Sequence, residues 1–160
     1  MTDESLVVVD TMVVSALITE GCDPAPADEF RRLIDGRSVV VSFVTVTEMR
    51  YGALKANWGE LRRGELERTL SRFVAVQPDD ELMTACAGLR DRCERAGLAL
   101  GQKVHEADRW VAATARYGKV PLVSHDGVFV DAPGIELLTV VPCEVTKRTV
   151  SRRRLRASGS

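Results

Sequence analysis

Aromatic side chains are scarce, at 5% of the chain, and histidine occurs only at His105 and His125. A core drawn from this composition must be aliphatic, mostly Val, Leu and Ala. The four cysteines, Cys22, Cys86, Cys93 and Cys143, form no CxxC pair. Their scatter suggests neither a zinc site nor a disulfide framework. No HxH or HExxH arrangement offers an imidazole metal centre. The absence of GxxxxGKS/T argues against a P-loop ATPase, and the absence of GxGxxG against a dinucleotide oxidoreductase. No apolar run reaches transmembrane length, and the opening Thr2-Asp3-Glu4 has the wrong charge for a signal peptide. The expectation is a cytoplasmic, reduced protein with no membrane contact.

What is present suits one domain. The 160 residues are 45% hydrophobic and 28% charged, enough for a single aliphatic core. We assign residues 1–144 to that domain and residues 145–160 to a basic tail. The tail holds Lys147, Arg148, Arg152, Arg153, Arg154 and Arg156, and no acid follows Glu144. The preceding residues set 16 basic side chains against 23 acids, so the body is acidic. An acidic body with a basic tail suits a grip on a polyanion, and equally a plain solvated terminus.

Strand and helix patterns alternate along the chain. "SLVVVD" is continuously apolar, as in a central strand covered on both faces. A helix over 11–19 follows, then a loop, then a short helix over 28–35 with Asp28 as its cap and Gly36 as its end. "SVVVSF" is a second strand, and "TVTEMRYGALKA" a helix beginning near Thr45 or Thr47. "ELRRGELERTLSRF" is a helix with Leu61, Leu66, Leu70 and Phe73 as its apolar side. A short strand "VAVQ" precedes a helix opened by Pro78, Asp79, Asp80 and Glu81, residues favoured at helix starts. Cys86 and Cys93 join Leu82 and Leu89 in its core stripe. The helix "VHEADRWVAATARYG", closed by Gly118, leads into the strand "VPLVS", the loop "HDGVF" and a last strand "IELLTV". The pattern predicts an α/β fold, a mainly parallel sheet with helices on both faces, whose sites form beyond the carboxyl ends of the strands.

Four acids fall at such element ends. Asp10 closes the first strand, Asp126 follows "VPLVS", Glu48 lies early on the helix after the second strand, and Asp108 begins the helix before the fourth. Brought together, four carboxylates would repel and their pKa values would rise unless a cation joined them. All-oxygen ligation suits Mg²⁺ or Mn²⁺. Such an ion without a nucleotide loop suits phosphodiester hydrolysis, where it lowers the pKa of water and offsets growing phosphate charge. Asp10 is followed by Thr-Met rather than by a second nearby Asp, against an aspartyl-nucleophile phosphatase. His125 beside Asp126 is a candidate base, or a loop residue of no special role. The competing reading is that Glu48, Asp108 and Asp126 cap helices or turns while Asp10 pairs with an arginine.

These segments carry a resemblance. "VVVDTMVVSALI", "TVTEMRYGALKANWG" and "HEADRWVAATARYGKVPLVSHDGVF" together resemble the PIN-domain nucleases, and within them the VapC-type ribonuclease toxins of toxin–antitoxin pairs. The likeness spans about Val7 to Phe129. It implies a three-layer α/β/α fold, with Asp10, Glu48, Asp108 and Asp126 as the catalytic, metal-holding acids for Mg²⁺ or Mn²⁺. It further implies RNA hydrolysis, a homodimer, and a VapB-like antitoxin whose C-terminal segment covers the active-site groove. The family usually carries Thr where this chain has Ser124, and its fourth acid is its least constant. A PIN nuclease of ordinary RNA processing, or a catalytically silent binding module, shares the same frame.

Further residues follow from position. Ser15 and Ser124 place hydroxyls near proposed ligands, where they could orient a carboxylate or a bound water, or simply complete a turn. Arg50, Lys55, Arg62 and Arg63 are candidates for holding RNA. Lys55 is the first choice, since seven positions put it on the face of Glu48, whereas Arg50 points elsewhere. Tyr51, Leu54 and Trp58 could form a partner surface or an ordinary core stripe.

Overall fold

The computed structural model describes residues 5–19 and 24–139 of the chain. The basic tail, Cys22 and Cys143 lie outside the described residues. Five strands form one sheet: β1 (Leu6–Val9), β2 (Ser38–Ser42), β3 (Val74–Val76), β4 (Leu122–Val123) and β5 (Leu137–Leu138). Their order is β3-β2-β1-β4-β5 and every pairing is parallel. Among the described residues six α-helices connect them: α1 (Thr11–Ile18), α2 (Pro24–Ile34), α3 (Phe43–Lys55), α4 (Glu60–Leu70), α5 (Asp80–Arg95) and α6 (Glu106–Gly118).

The pleat sorts the sheet's side chains between two cores. Val8, Val40 and Leu122 face α5 and α6, where they meet Leu82, Cys86, Leu89, Cys93 and Val111. Val7, Val9, Val41 and Val123 face the other way, onto Val13, Phe30, Met49, Leu66 and Leu70 of α1 to α4. This gives the expected three layers. Val7, Val8 and Val9 are all fully buried, each worth roughly 1.5–3 kcal/mol of apolar burial. That explains the unbroken apolar run before Asp10.

The chain first builds outward from β1 through β2 to β3, then returns to the other side of β1 for β4 and β5. The order therefore reverses between β1 and β4. At such a switch point the connections leave in opposite directions, and a crevice opens beyond the carboxyl ends.

Several local expectations need correction. The second helix starts at Pro24, so Asp28 is an interior residue whose carboxylate pairs with Arg31 at 3.0 Å rather than a cap. Proline is compatible with a first helical turn, where its missing N–H costs nothing. The third helix starts at Phe43 and its cap is Ser42, whose Oγ accepts from Val44 N at 3.4 Å. Leu61 is 87% exposed and belongs to no core. Gly118 is the last residue of α6, but the left-handed closing residue is Lys119, at φ 52°. Gly36 does end α2, at φ +70°. Asp79 caps α5 by accepting from Leu82 N at 2.7 Å. Within the segment joining α5 to α6, a Cβ at Gly101 would stand 2.7 Å from the backbone nitrogen of Glu94, so close backbone packing requires glycine there.

Candidate active site

Asp10 sits where β1 becomes α1. Its backbone N–H still serves the sheet, donating to Val123 O at 3.1 Å, while its carbonyl accepts from Val13 and Val14 in the first helical turn. The side chain caps the helix: Oδ1 accepts from Thr11 N at 2.7 Å. Oδ2 accepts from the Ser124 hydroxyl at 3.0 Å. Ser124 is fully buried at the end of β4, and its Oγ accepts from Asp126 N at 3.0 Å. One hydroxyl thus ties the switch-point acid to the backbone of another.

The remaining acids arrive from three other segments. Glu48 is exposed on α3, and its Oε2 accepts from Thr11 Oγ1 at 2.5 Å. The Thr45 hydroxyl, one turn earlier on α3, lies 3.2 Å from that of Thr11. With its single proton given to Glu48, Thr11 is left to accept from Thr45. Asp108 is half-buried in the first turn of α6, with Oδ2 2.8 Å from His105 Nδ1. Asp126 is exposed and caps the 3₁₀ turn Gly127–Phe129, accepting from Val128 N at 2.9 Å.

All four acids line one cavity of about 530 Å³. Thr11, Met12, Ser15 and Thr19 of α1 form one wall, and Met49, Gly52, Ala53 and Trp58 another. Asp10 is 6% exposed and is pushed up to about 6. Burial is the largest cause, hydrogen bonds from Ser124 and Thr11 oppose it, and the charges of Asp108 and Asp126 add to it. The competing reading, in which Asp10 pairs with an arginine, is not realised among the described residues.

The donor set fits a hard divalent cation. Every acid offers carboxylate oxygen, the wall adds hydroxyls, and the one imidazole at hand is already hydrogen-bonded to Asp108. A cation near Asp10 would offset the burial and like-charge effects that raise its pKa. As the side chains stand, no three acid, histidine or cysteine groups converge closely enough to enclose one ion among the described residues. Each acid has a hydrogen-bond partner of its own: Ser124 and Thr11 for Asp10, Thr11 for Glu48, His105 for Asp108 and Val128 N for Asp126.

Other sequence candidates fall elsewhere. Ser15 is exposed on the cavity wall. The His125 ring stacks on Phe30 of α2, with centroids 5.5 Å apart, and does not line the cavity. Arg50 is occupied by Glu67, Nε and Nη2 each donating at 2.9 Å. Lys55 is exposed at the end of α3, and neither it nor Arg62 or Arg63 lines the acid cavity. Tyr51 and Leu54 are 63% and 61% exposed, because the buried face of α3 is Thr45, Met49 and Ala53. Trp58 alone of the three packs against a core.

Sequence reasoning passed over Thr11, Thr45 and His105. The signals were present: a hydroxyl directly after Asp10, and a polar residue three before each of Glu48 and Asp108. Three positions is the helical spacing that brings side chains together.

The sequence matches the PIN domain family over residues 7–135. It is 30% identical over 102 residues to ribonuclease VapC4 of Mycobacterium tuberculosis, covering 62% of this chain and 75% of that protein. The fold is shared with VapBC2 from Rickettsia felis, bound to a DNA fragment from its promoter, at TM-score 0.69 and 21% identity over 84% of this chain and 98% of that one. DNA-bound VapBC from Salmonella typhimurium matches at TM-score 0.69 and 22% identity, with the same coverage. The acid-lined crevice at the switch point, the layered sheet and the sequence match agree: the chain belongs to the PIN-domain family and strongly resembles its VapC-like toxin–antitoxin nucleases.

Proposed function

We propose that this chain is a Mg²⁺- or Mn²⁺-dependent endoribonuclease acting as the toxin of a toxin–antitoxin pair. The observation that carries the reading is the burial of Asp10 among like charges, in a cavity that Glu48, Asp108 and Asp126 also line. Asp10 and Asp108 would hold the ion, with Glu48 and Asp126 completing the set directly or through water. A divalent ion, when bound, supplies a Lewis acid for the phosphoryl oxygens and eases ionisation of water.

The chain's own residues provide the orientation. Ser124 fixes one oxygen of Asp10, and the Thr11 amide fixes the other, so the carboxylate faces the cavity in one rotamer. Thr11 tethers Glu48 across the cavity wall, and His105 steadies Asp108. Such outer contacts typically contribute 10–100-fold in metal affinity or activity.

The match to a ribonuclease supports RNA as the substrate, and the VapBC relatives support a VapB-like antitoxin as partner; a homodimer belongs to the same proposal through the family resemblance alone. Incubating the purified chain with total RNA tests the enzyme directly. Cleavage should require Mg²⁺ or Mn²⁺, stop with a chelator, and fall by orders of magnitude in Asp10→Asn. RNA left intact under every metal condition would overturn it.

A further inference from the structure

Several arginines on this surface are already engaged. Arg31 pairs with Asp28, Arg50 with Glu67, Arg90 with Glu94 and Arg95 with Asp91. Arg62 is held differently. Its guanidinium carbon lies 3.8 Å from the centroid of the Trp58 ring, and no carboxylate pairs with it among the described residues. A guanidinium resting on an indole keeps its plane fixed and leaves its edge N–H donors free, which suits capture of a phosphate.

The position of this stack matters more than its strength. Trp58 lines the acid cavity, while Arg62 lines a second cleft of about 760 Å³ between α1 and α4. The two hollows share the last turn of α1, where Thr19 faces the first and Leu17 and Ile18 face the second. The second cleft has an apolar side of Leu17, Ile18 and Phe73, and a polar side carrying Arg62, Glu65 and Arg72. On α4, positions 62, 65 and 69 follow the helical spacing that makes one continuous stripe, and Arg72 extends it beyond the helix end. Among the described lining residues two guanidiniums stand against one carboxylate. Among the described residues the acid cavity has no basic side chain in its lining, so basic side chains for the backbone flanking that cavity come from next door.

We propose that the α1–α4 cleft is the track for single-stranded RNA flanking the scissile phosphate. Arg62, preset by Trp58, grips the first backbone phosphate beyond the acid cavity, Arg72 grips one further along, and a base rests on the Leu17–Ile18–Phe73 surface. Charged groove and apolar platform together are the combination that binds single strands without reading sequence. The proposal rests on the nuclease reading of the acid cavity and adds the path of the RNA beside it.

The test uses the full chain in an Asp10→Asn background, so that RNA survives, with a short mixed-sequence single-stranded RNA titrated at several salt concentrations. Arg62→Ala should weaken binding and flatten the slope of log K against log salt by about 0.7. Adding Arg72→Ala should flatten it by a similar amount again. Arg62→Lys should keep the slope but lose affinity, because the charge remains while the fixed plane is lost. Arg90→Ala, on α5, should change nothing. An unchanged slope in Arg62→Ala, with RNA cleavage intact in the otherwise unsubstituted chain, overturns the track alone. If Arg62→Ala spares RNA binding but weakens binding of poly-glutamate, the cleft serves an acidic protein segment and the track is overturned. Absence of cleavage by the unsubstituted chain with either metal sinks the nuclease reading, and the track with it.

Discussion

Asp10 and Arg109 are the two charged residues buried among those described, at 6% and 2% exposure. The cation is accommodated by its own fold. Arg109 Nη1 donates to the carbonyls of Leu100 at 3.0 Å and Gln102 at 2.5 Å, pinning the turns that join α5 to α6. Those turns carry His105, so the buried arginine holds the residue that holds Asp108. The anion is accommodated only in part. One hydroxyl and one amide reach Asp10, two further acids repel it, and its pKa climbs to about 6. A buried charge whose hydrogen bonds go to neutral backbone carbonyls reads as architecture. One left raised and flanked by like charges, in an open cavity, reads as a place for something positive.

The sharpest way to break the comparison is to remove each charge in turn and watch stability move in opposite directions. Arg109→Met removes the charge-assisted bonds to the buried Leu100 carbonyl and the part-buried Gln102 carbonyl and should destabilise the fold by about 3 kcal/mol, since each such bond contributes about 1.5–3 kcal/mol. Urea unfolding measures this; unchanged stability would deny Arg109 its structural role.

Asp10→Asn should act the other way. The sign follows from linkage. The folded state binds the Asp10 proton more tightly than the unfolded state, so stability is greatest below the unfolded value of 3.8 and falls as pH rises through about 6. Above that pH the cost is on the order of 3 kcal/mol at one pKa unit per 1.36 kcal/mol. Without divalent ions, Asn should recover up to about that amount near neutral pH and flatten the profile between pH 4 and 6. The amide can still cap Thr11 through its oxygen and donate to Ser124 through its nitrogen. An equally steep profile in Asp10→Asn would show that the pH dependence belongs to another group.

Thr11→Val sharpens the contrast within the site. It cuts Glu48 loose while keeping the shape of the side chain, for about 1 kcal/mol of stability. Affinity for Mn²⁺, read by calorimetry, should fall about tenfold. The smallest effect belongs to the exposed pair of Arg50 and Glu67. Arg50→Ala should cost no more than about 1 kcal/mol, and less as salt rises. A larger or salt-insensitive loss would mean that Arg50 does more than serve a surface pair.

The legibility of the chain divides along similar physical lines. Strands were readable because Val7–Val9 and Val39–Val41 are apolar on both faces, which only a doubly covered sheet explains. The placement of Asp10 and Asp126 followed from strand direction alone. Helix starts were less readable. Ser42 lies inside an apolar run that looks like strand, and Pro24 sits in a segment that looks like loop. Leu61 fits a helical apolar stripe, yet α4 buries only the side carrying Leu66 and Leu70. The tethers of Thr11 and His105 depend on rotamers across elements, which spacing suggests but does not decide. Arg62 was readable as a basic residue; its stacking on Trp58 was not, because it arises from the turn between α3 and α4.

If Asp10 is kept raised and buried for a divalent cation, thermal unfolding at neutral pH should respond to Mn²⁺ through this residue. A ligand that binds only the folded state stabilises by RT ln(1 + [L]/Kd). Mn²⁺ should raise the melting temperature of the unsubstituted chain in a saturable way, whereas Asp10→Asn should start higher without metal and gain little from it. An equal Mn²⁺ response in both proteins, or none in either, would contradict that role for Asp10.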